Sequence, residues 1–205
     1  MILRVVRGRI RPGERDDVLA AMRGDYEPIL SATAGLVRFV LGLRPTDEGG
    51  DRLAALLIWN DFDSVQTAYG GELAAPRTID GRDRGAIYED VVYYELEAGR
   101  MPAGTPRILR LTAGSVGRGL DADIQAGLRT RLPDLPADAV EAYVGRRVLG
   151  PVVEIAFLST WSAPPAEVDL GAPIWPDLSA RYDAYALELY EVVLIGDGRA
   201  ADPAG

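Results

Sequence analysis

The chemistry open to this chain is narrow, because the sequence contains no histidine, no cysteine and no lysine, and all 22 basic residues are arginines. Serine or cysteine nucleophiles that rely on histidine, Schiff-base lysines and His/Cys zinc sites are therefore excluded. No paired-carboxylate motif, metal-ligand spacing or glycine-rich phosphate loop is evident. Any acid–base step must use Asp, Glu, Tyr or the substrate itself.

Three arginines interrupt runs of apolar residues. Arg4 and Arg110 occupy corresponding places in two similar runs, 106 positions apart, and Arg38 lies in a third run. A buried guanidinium needs either a carboxylate of the protein or an anionic group of a ligand. Both alternatives stay open, and Glu154 is the candidate structural partner of Arg110 or Arg146.

Tyrosine hydroxyls are the other polar groups that an apolar pocket could present to a ligand. They are supplied by Tyr26, Tyr69, Tyr93 and Tyr94, and by Tyr143, Tyr182, Tyr185 and Tyr190. Tyr26 and Tyr69 are favoured because both fall in helical patterns predicted to lie over a sheet. The rings are equally suited to core packing.

The elements that would position these side chains follow one pattern twice. The runs Ile2–Ile10 and Ile108–Val116 both open with Ile-Leu-Arg and have the composition of strands. Each is followed by an apolar stripe at three- and four-residue steps, which indicates a helix. The stripes are Val18, Met22, Tyr26, Ile29 and Leu30 in the first half, and Leu120, Ile124, Leu128 and Leu132 in the second. Two strands, a second helical stretch and a last strand follow, and Trp59 and Trp161 end the third strands. The prediction is an α+β protein with two tandem ferredoxin-like βαββαβ halves.

The boundaries predicted from this pattern are a first half over 1–97, a linker over 98–106, a second half over 107–195 and a mobile tail over 196–205. The predicted later strands are Leu36–Leu43, Leu53–Trp59 and Asp90–Glu97, then Ala139–Val148, Val152–Trp161 and Leu187–Leu194. A long charged stretch over 72–88 is either a lid or solvated surface.

Helix ends are predicted from capping residues and prolines. Asp63 is the expected cap of the second helix, and Asp121 is expected at or near the start of the third. Pro28 should bend or shorten the first helix, and Pro133 should end the third. Gly35 suits the left-handed conformation that follows a helix. The fourth helical stretch is expected over 166–185, where prolines interrupt it.

Composition limits the partners. The net charge is −9 and the pI is about 4.6, which argues against nucleic acid and anionic membrane surfaces because both attract basic proteins. Neither a signal peptide nor a run of about 18 apolar residues is found. We expect a cytoplasmic protein without a disulfide framework.

Two segments resemble a known family. Leu57-Ile58-Trp59-Asn60-Asp61-Phe62-Asp63-Ser64-Val65 and Leu158-Ser159-Thr160-Trp161-Ser162 are similar to the strand-to-helix segment of the antibiotic biosynthesis monooxygenase-like family of dimeric α+β barrel proteins. The ending from Arg181 to Val192 resembles that family as well. The resemblance covers both halves and implies that their sheets close one intramolecular, pseudo-dimeric α+β barrel.

This resemblance implies a function without cofactor or metal. Members include oxygenases in which a phenolic aromatic or polyketide-type substrate itself activates oxygen in a pocket between helices and sheet. By resemblance, the catalytic candidates are Trp59, Asn60, Tyr26 and Tyr69, and the substrate-binding candidates are Arg4, Arg38, Arg110, Trp161 and Tyr182. The haem-degrading members use an axial histidine that has no counterpart here, so haem degradation does not fit.

Three classes of function remain from the sequence. The first is a cofactor-independent monooxygenase-like protein that acts on a hydrophobic aromatic small molecule. The second is a non-catalytic, small-molecule-binding or stress-related protein of the same fold. The third is an interaction module, which would need an exposed apolar patch that the sequence pattern does not require. The chain is expected to act as a monomer or a homodimer.

Overall fold

The computed structural model describes residues 1–71, 73, 86–100, 104–117, 119–163 and 169–198. Within these ranges the chain forms eight β-strands and few helices, which confirms the predicted α+β class. The paired strands are antiparallel. The chain divides into two compact units: unit 1 contains Met1–Tyr93 and Val192–Gly205, and unit 2 contains Tyr94–Glu191.

Unit 1 is an antiparallel sheet covered by helices. Its strands are β1 (Ile2–Ile10), β2 (Leu36–Pro45), β3 (Asp51–Trp59), the first part of β4 (Ala86–Arg100) and the end of β8 (Ala184–Asp197), in the order β4-β1-β3-β2-β8. Its helices are α1 (Arg15–Ala21), a π-helical segment (Met22–Tyr26), α2 (Glu27–Ala32) and α3 (Phe62–Tyr69).

The helical face of this sheet is set by the alternation of side chains along each strand. Val6, Phe39 and Leu57 point to the same face and form one buried cluster with Val65 and Tyr69 of α3. The helical segment that begins with α1 and continues through the π-helix packs on the other end of this face. The cluster it forms there contains Ile10, Val18, Met22, Tyr26, Leu41, Leu43 and Leu53. Val18, Met22, Tyr26 and Leu30 of the expected apolar stripe therefore meet the sheet, whereas Ile29 belongs to neither of these clusters.

Local signals explain how α3 is placed. Asp61 caps it, since its carboxylate accepts a hydrogen bond from the Ser64 amide at 2.7 Å, so the assignment of the cap to Asp63 was wrong. Gly70 ends the helix with φ +64°. Gly35 has φ +79°, and a Cβ there would lie 2.3 Å from Ser64 Oγ. Only glycine therefore lets the start of β2 pass so close to α3.

Pro28 does not end the helical segment formed by α1, the π-helix and α2. It lies in the first turn of α2, and the helical backbone continues through it from the preceding segment, since Tyr26 has helical φ and ψ. The segment directly before α2 is the π-helix Met22–Tyr26. The helical residues continue past Pro28 to Ala32, so Pro28 does not shorten the helix, and the bend expected there stays a prediction.

Unit 2 repeats the strand order with different helices. Its strands are β5 (Ile108–Ser115), β6 (Ala139–Arg147), β7 (Glu154–Trp161), the first part of β8 and the last part of β4, in the order β8-β5-β7-β6-β4. Helix α4 spans Asp121–Arg131 and continues into the 3₁₀ turn Leu132–Asp134, so Pro133 follows the helix as expected. Asp121 is the first residue of α4, and the cap position, Leu120, makes no side-chain cap bond.

Several predicted boundaries differ from those observed. The fourth helical stretch contributes only α5 (Pro176–Ser179), and residues 164–168 lie outside the described part. β4 includes 98–100 of the predicted linker, and β8 includes 196–197 of the predicted tail. Of the charged stretch over 72–88, residues 86–88 belong to β4, whereas 72 and 74–85 are outside the described residues, so the lid alternative stays a prediction.

Glu154 has a structural partner, but not one of those predicted. It pairs with Arg147 at 3.4 Å and accepts a hydrogen bond from the Tyr94 hydroxyl. Arg146 pairs instead with Asp121 at 3.3 Å. Strand alternation explains the error, because Arg147 lies directly across from Glu154 on the same face, one residue beyond Arg146.

No helix in the described ranges is both long enough and apolar enough to cross a membrane.

Candidate functional site

A space between the sheet and the helices of unit 1 measures about 70 Å³ and is partly open to solvent. It is lined by Arg4, Val6, Met22, Tyr26, Leu30, Phe39, Val40, Leu41, Leu53, Ala55, Leu56, Leu57, Tyr69, Tyr88 and Leu194. Leu30, Tyr88 and Leu194 are only half-buried, so solvent can approach from their side. We call this space the unit 1 cavity; it brings together Arg4, Tyr26 and Tyr69 of the predicted site.

Arg4 supplies the only charge among the described residues that line this cavity. Its side chain is 2% exposed, and its guanidinium donates from Nε to the Tyr93 hydroxyl at 3.1 Å and from Nη1 to the Tyr69 hydroxyl at 3.2 Å. The guanidinium carbon also lies 4.1 Å from the centroid of the Tyr69 ring, within cation–π distance. The side chains of Arg4 and Tyr69 are therefore held in one orientation.

Tyr69 is the hydrogen-bond donor that this arrangement offers to a ligand. Burial raises the pKa of Tyr69 from 10.0 to about 12, and the positive charge of Arg4 opposes that rise. The phenol is therefore neutral near pH 7. Its oxygen already accepts from Arg4, and among the described residues its own hydrogen has no acceptor. Tyr93, in contrast, donates to the Leu73 carbonyl at 2.9 Å.

The π-helical segment forms one wall of the cavity. Met22 and Tyr26 are the first and last residues of that segment, and both line the space. A π-helical turn is rare and is frequently found at functional sites. It is also wider than an α-helical turn, so it changes the directions in which Met22 and Tyr26 project. Sequence reasoning selected Tyr26 but had no signal for this turn.

The remaining predicted residues of unit 1 lie around the cavity rather than in its lining. Trp59 is fully buried and stacks edge-to-face on Tyr69 at 5.8 Å, and its indole N–H has no acceptor among the described residues. Asn60 is exposed, and its backbone N–H bonds the Gly35 carbonyl. Arg38 pairs with Asp197 at 2.7 Å. Their catalytic or binding roles stay predictions.

The corresponding space in unit 2 is much smaller. It measures about 20 Å³ and is lined by Arg110, Thr112, Leu128, Phe157, Ile174, Trp175, Leu178, Ser179, Tyr182 and Tyr185. We call it the unit 2 cavity; it includes two of the predicted binding residues, Arg110 and Tyr182. Trp161 is fully buried outside its lining, where its indole N–H donates to Ser159 Oγ at 2.9 Å.

One position explains much of this difference in size. Ala55 lies opposite Val6 in unit 1, and Phe157 lies opposite Thr112 in unit 2, at corresponding places in the two sheets. The Phe157 ring packs edge-to-face on Trp175 at 5.1 Å and occupies the space between sheet and helices. Alanine leaves that space open in unit 1.

Tyr88 and Met22 are lining residues that sequence reasoning did not single out as site residues. Tyr88 fell at the end of the predicted loop, so its strand was not recognised. Met22 belonged to the predicted apolar stripe, which is the signal that could have found it. Among the described residues, no group of three acidic side chains is placed to hold a metal ion.

Comparison with solved structures shows the fold. A protein from Fusobacterium nucleatum subsp. nucleatum, named "putative monooxygenase", has 8% identity and a TM-score of 0.72, with 96% of this chain and 94% of that chain covered. One from Lactobacillus acidophilus with the same name has 11% identity and a TM-score of 0.67, and the coverage is 96% of each chain. An anthrone oxidase-like protein has 13% identity and a TM-score of 0.59, with coverage of 100% and 96%.

At such low identities these similarities establish a monooxygenase-like fold over nearly the whole chain, and not an activity. No family model matches the sequence, and no curated protein matches it.

Proposed function

We propose that this protein is a cofactor-independent monooxygenase-like protein that binds a hydrophobic aromatic, polyketide-type small molecule in the unit 1 cavity. The observation that carries the proposal is the neutral Tyr69 hydroxyl, fixed by Arg4 at a mostly apolar cavity. A pocket of mostly apolar side chains with a few fixed polar groups is the usual form of a small-molecule site.

Recognition would combine apolar contact with one directed hydrogen bond. Phe39, Leu41 and Leu57 offer a surface for an aromatic ring, and the Tyr69 hydroxyl would donate to a carbonyl or phenolate oxygen of the ligand. Arg4 adds a positive charge next to that hydroxyl, which favours the anionic form of a phenol. The ligand expected is therefore an acidic, oxygen-bearing aromatic compound.

The chemistry would then belong to the ligand. In an anthrone-type ligand, the enolate formed when a CH2 group loses a proton can pass electrons to molecular oxygen. One oxygen atom then becomes the carbonyl oxygen on that carbon, and the other leaves as water with the two hydrogens that the CH2 group carried. None of the described lining residues is a carboxylate, and Tyr69 is protonated near neutral pH because its pKa is raised. Proton loss must therefore rely on ligand acidity increased by Arg4.

The size of the cavity sets a condition on this proposal. Its volume of about 70 Å³ is roughly half that of the ~150 Å³ engineered cavity that accepts benzene. A polycyclic ligand would have to enlarge it. Met22 is suited to that movement because its unbranched side chain adapts readily, and Leu30 and Leu194 are half-buried at the rim.

The wider organisation is part of the proposal. We propose that two ferredoxin-like halves close one α+β barrel and that the protein belongs to the antibiotic biosynthesis monooxygenase-like family. We also propose a cytoplasmic location and a monomeric or homodimeric state. Whole-chain similarity to the three structures named above supports the fold in this proposal, whereas the family, the location and the oligomeric state are carried over from the sequence.

A non-catalytic, small-molecule-binding or stress-related protein is the second candidate. It is favoured by the absence of a carboxylate among the described lining residues and by the small volume. Such a protein would bind the same aromatic compounds without consuming oxygen. The two candidates therefore differ in turnover and not in affinity.

The experiment combines binding and turnover. Purified protein would be titrated with a panel of anthrones and hydroquinones under nitrogen, and quinone formation would then be followed by absorbance in the presence of oxygen. Accelerated quinone formation that decreases in Tyr69→Phe supports the monooxygenase. Binding without accelerated oxidation supports the second candidate, and the absence of binding across the panel rejects both.

A further inference from the structure

Arg110 is the most deeply buried cation described in unit 2. Its residue is 1% exposed. Nε donates to the Leu170 carbonyl at 3.1 Å, Nη1 to Thr112 Oγ1 at 2.6 Å, and Nη2 to the Ala172 carbonyl at 3.0 Å and to the Tyr185 hydroxyl at 3.5 Å. All these partners are neutral, and within the described part of the chain no carboxylate lies within ion-pair distance of this guanidinium.

A buried guanidinium in neutral surroundings is an unfavourable arrangement unless an anion approaches it. Burial lowers the pKa of Arg110, which is the direction expected when hydration is lost without a compensating negative charge. The group nevertheless stays charged at neutral pH. The hydrogen bonds satisfy the donors, but they do not neutralise the charge.

Donors remain available beside this charge. A guanidinium has five N–H groups, and the four hydrogen bonds of Arg110 leave one Nη1 hydrogen without an acceptor among the described residues. Tyr182 makes no hydrogen bond through its hydroxyl to any described residue, and burial raises its pKa, so it remains a neutral donor. The Tyr185 hydroxyl accepts from Arg110 and keeps its own hydrogen.

The unit 2 cavity lies where these groups meet. It is lined by Arg110, Thr112, Tyr182 and Tyr185 on its polar side and measures about 20 Å³. A space of roughly 10–15 Å³ on this measure holds one water molecule. The cavity is therefore large enough for a monoatomic ion and too small for an organic acid.

We propose that unit 2 binds a small monovalent anion of the halide class, with chloride as the physiological candidate, between the Arg110 guanidinium and the hydroxyls of Tyr182 and Tyr185. The ion would neutralise a buried charge and tie β5 to β8 and to the segment that contains Leu170 and Ala172. This site is independent of the function proposed for the unit 1 cavity, so either proposal can fail alone.

The direct test is diffraction from crystals soaked in sodium bromide. We expect an anomalous bromine peak in contact with the Arg110 guanidinium inside the unit 2 cavity. A map without a bromine peak at that place would overturn the proposal.

The solution test compares thermal unfolding in sodium chloride, sodium bromide and sodium gluconate at equal ionic strength, because gluconate is too large for the cavity. At a halide concentration ten times Kd, Tm should be about 3–6 °C higher than in gluconate. A bromine peak accompanied by equal Tm values in the three salts would indicate binding at crystal concentration only, and would also overturn the proposal.

Variants assign the effect to the site. Arg110→Gln should abolish the difference between halide and gluconate; if this variant does not fold, Tyr182→Phe/Tyr185→Phe removes two donors and should weaken halide binding about tenfold. Tyr190→Phe is the matched control, since Tyr190 donates to Glu188 and does not line the cavity. Retention of the full halide effect in the double tyrosine variant would place the ion elsewhere.

Discussion

Arg4 and Tyr69 are joined in two ways: Nη1 of Arg4 donates to the Tyr69 hydroxyl at 3.2 Å, and its guanidinium carbon lies 4.1 Å from the centre of the same ring. The arginine comes from β1 and the tyrosine from the last turn of α3. Strand and helix are therefore locked together at the place where the unit 1 cavity has its polar groups. Substitution of Arg4 or Tyr69 should therefore affect the pKa of Tyr69, the affinity for a ligand in the unit 1 cavity and the packing of α3 on β1.

The titration of Tyr69 should be visible in the pH dependence of stability. Its pKa is about 12 in the folded protein against 10.0 for the free side chain. The stabilisation of about 2–3 kcal/mol that this difference represents is present in full below pH 10 and is lost as the pH rises towards 12. Urea unfolding between pH 8 and 11.5 measures it. Tyr69→Phe should reduce the slope, and an unchanged slope in that variant would contradict the assignment.

The role of Tyr69 in binding can be separated from its role in packing. Tyr69→Phe keeps the ring and removes one hydrogen bond, so affinity for an anthrone should fall about 2–10-fold. Affinity for dihydroanthracene, which has no oxygen to accept the bond, should be unchanged. Tyr190→Phe, in unit 2, lines neither cavity and serves as the matched control for both ligands. Equal losses for both ligands in Tyr69→Phe would mean that only packing was disturbed.

Much of the unit 1 cavity could be predicted from the sequence. Strand alternation in β1 places Arg4 and Val6 on one face, and the four-residue steps in the helices turn Tyr26 and Tyr69 towards that face. Two independent periodicities therefore meet at one place. This is why the residues chosen for their chemistry were found together.

Other features could not be read from the sequence because they depend on where elements end. Asp61 and Asp63 are both good capping residues, and the end of β3 at Trp59 decides between them. No residue type or spacing predicts the π-helical turn Met22–Tyr26. The difference in cavity size between the units could, in contrast, be predicted by aligning the third strands at Trp59 and Trp161. This alignment puts Ala55 and Phe157 at corresponding positions of the two sheets.

The hydrogen bond of the Trp161 indole should make a measurable contribution to the free energy of unfolding, because it is made inside the core. Ser159→Ala removes the acceptor that now lies 2.9 Å from Nε1 and leaves a fully buried N–H without a partner. The free energy of unfolding should fall by about 1–3 kcal/mol. Ser162→Ala near the surface is the control and should stay within about 0.5 kcal/mol of the parent protein. Similar losses in both variants would argue against a specific indole bond.

The contrast between Ala55 and Phe157 predicts that one substitution should close the unit 1 cavity. In Ala55→Phe the new ring would enter the space of about 70 Å³ beside Val6, and affinity for aromatic ligands should fall at least tenfold. Because a cavity receives the ring, the cost in stability should stay within about 1–3 kcal/mol. Isothermal titration calorimetry measures the binding, and urea unfolding measures the stability.

The reverse change tests the same relationship in unit 2. Phe157→Ala should lower the free energy of unfolding by about 3–5 kcal/mol and enlarge the unit 2 cavity beside Trp175. Phe157→Leu, which fills more of the space, should cost less and is the graded control. If Ala55→Phe bound aromatic ligands as tightly as the parent protein, the ligand would not occupy the unit 1 cavity, because the ring at position 55 and the ligand cannot share that volume.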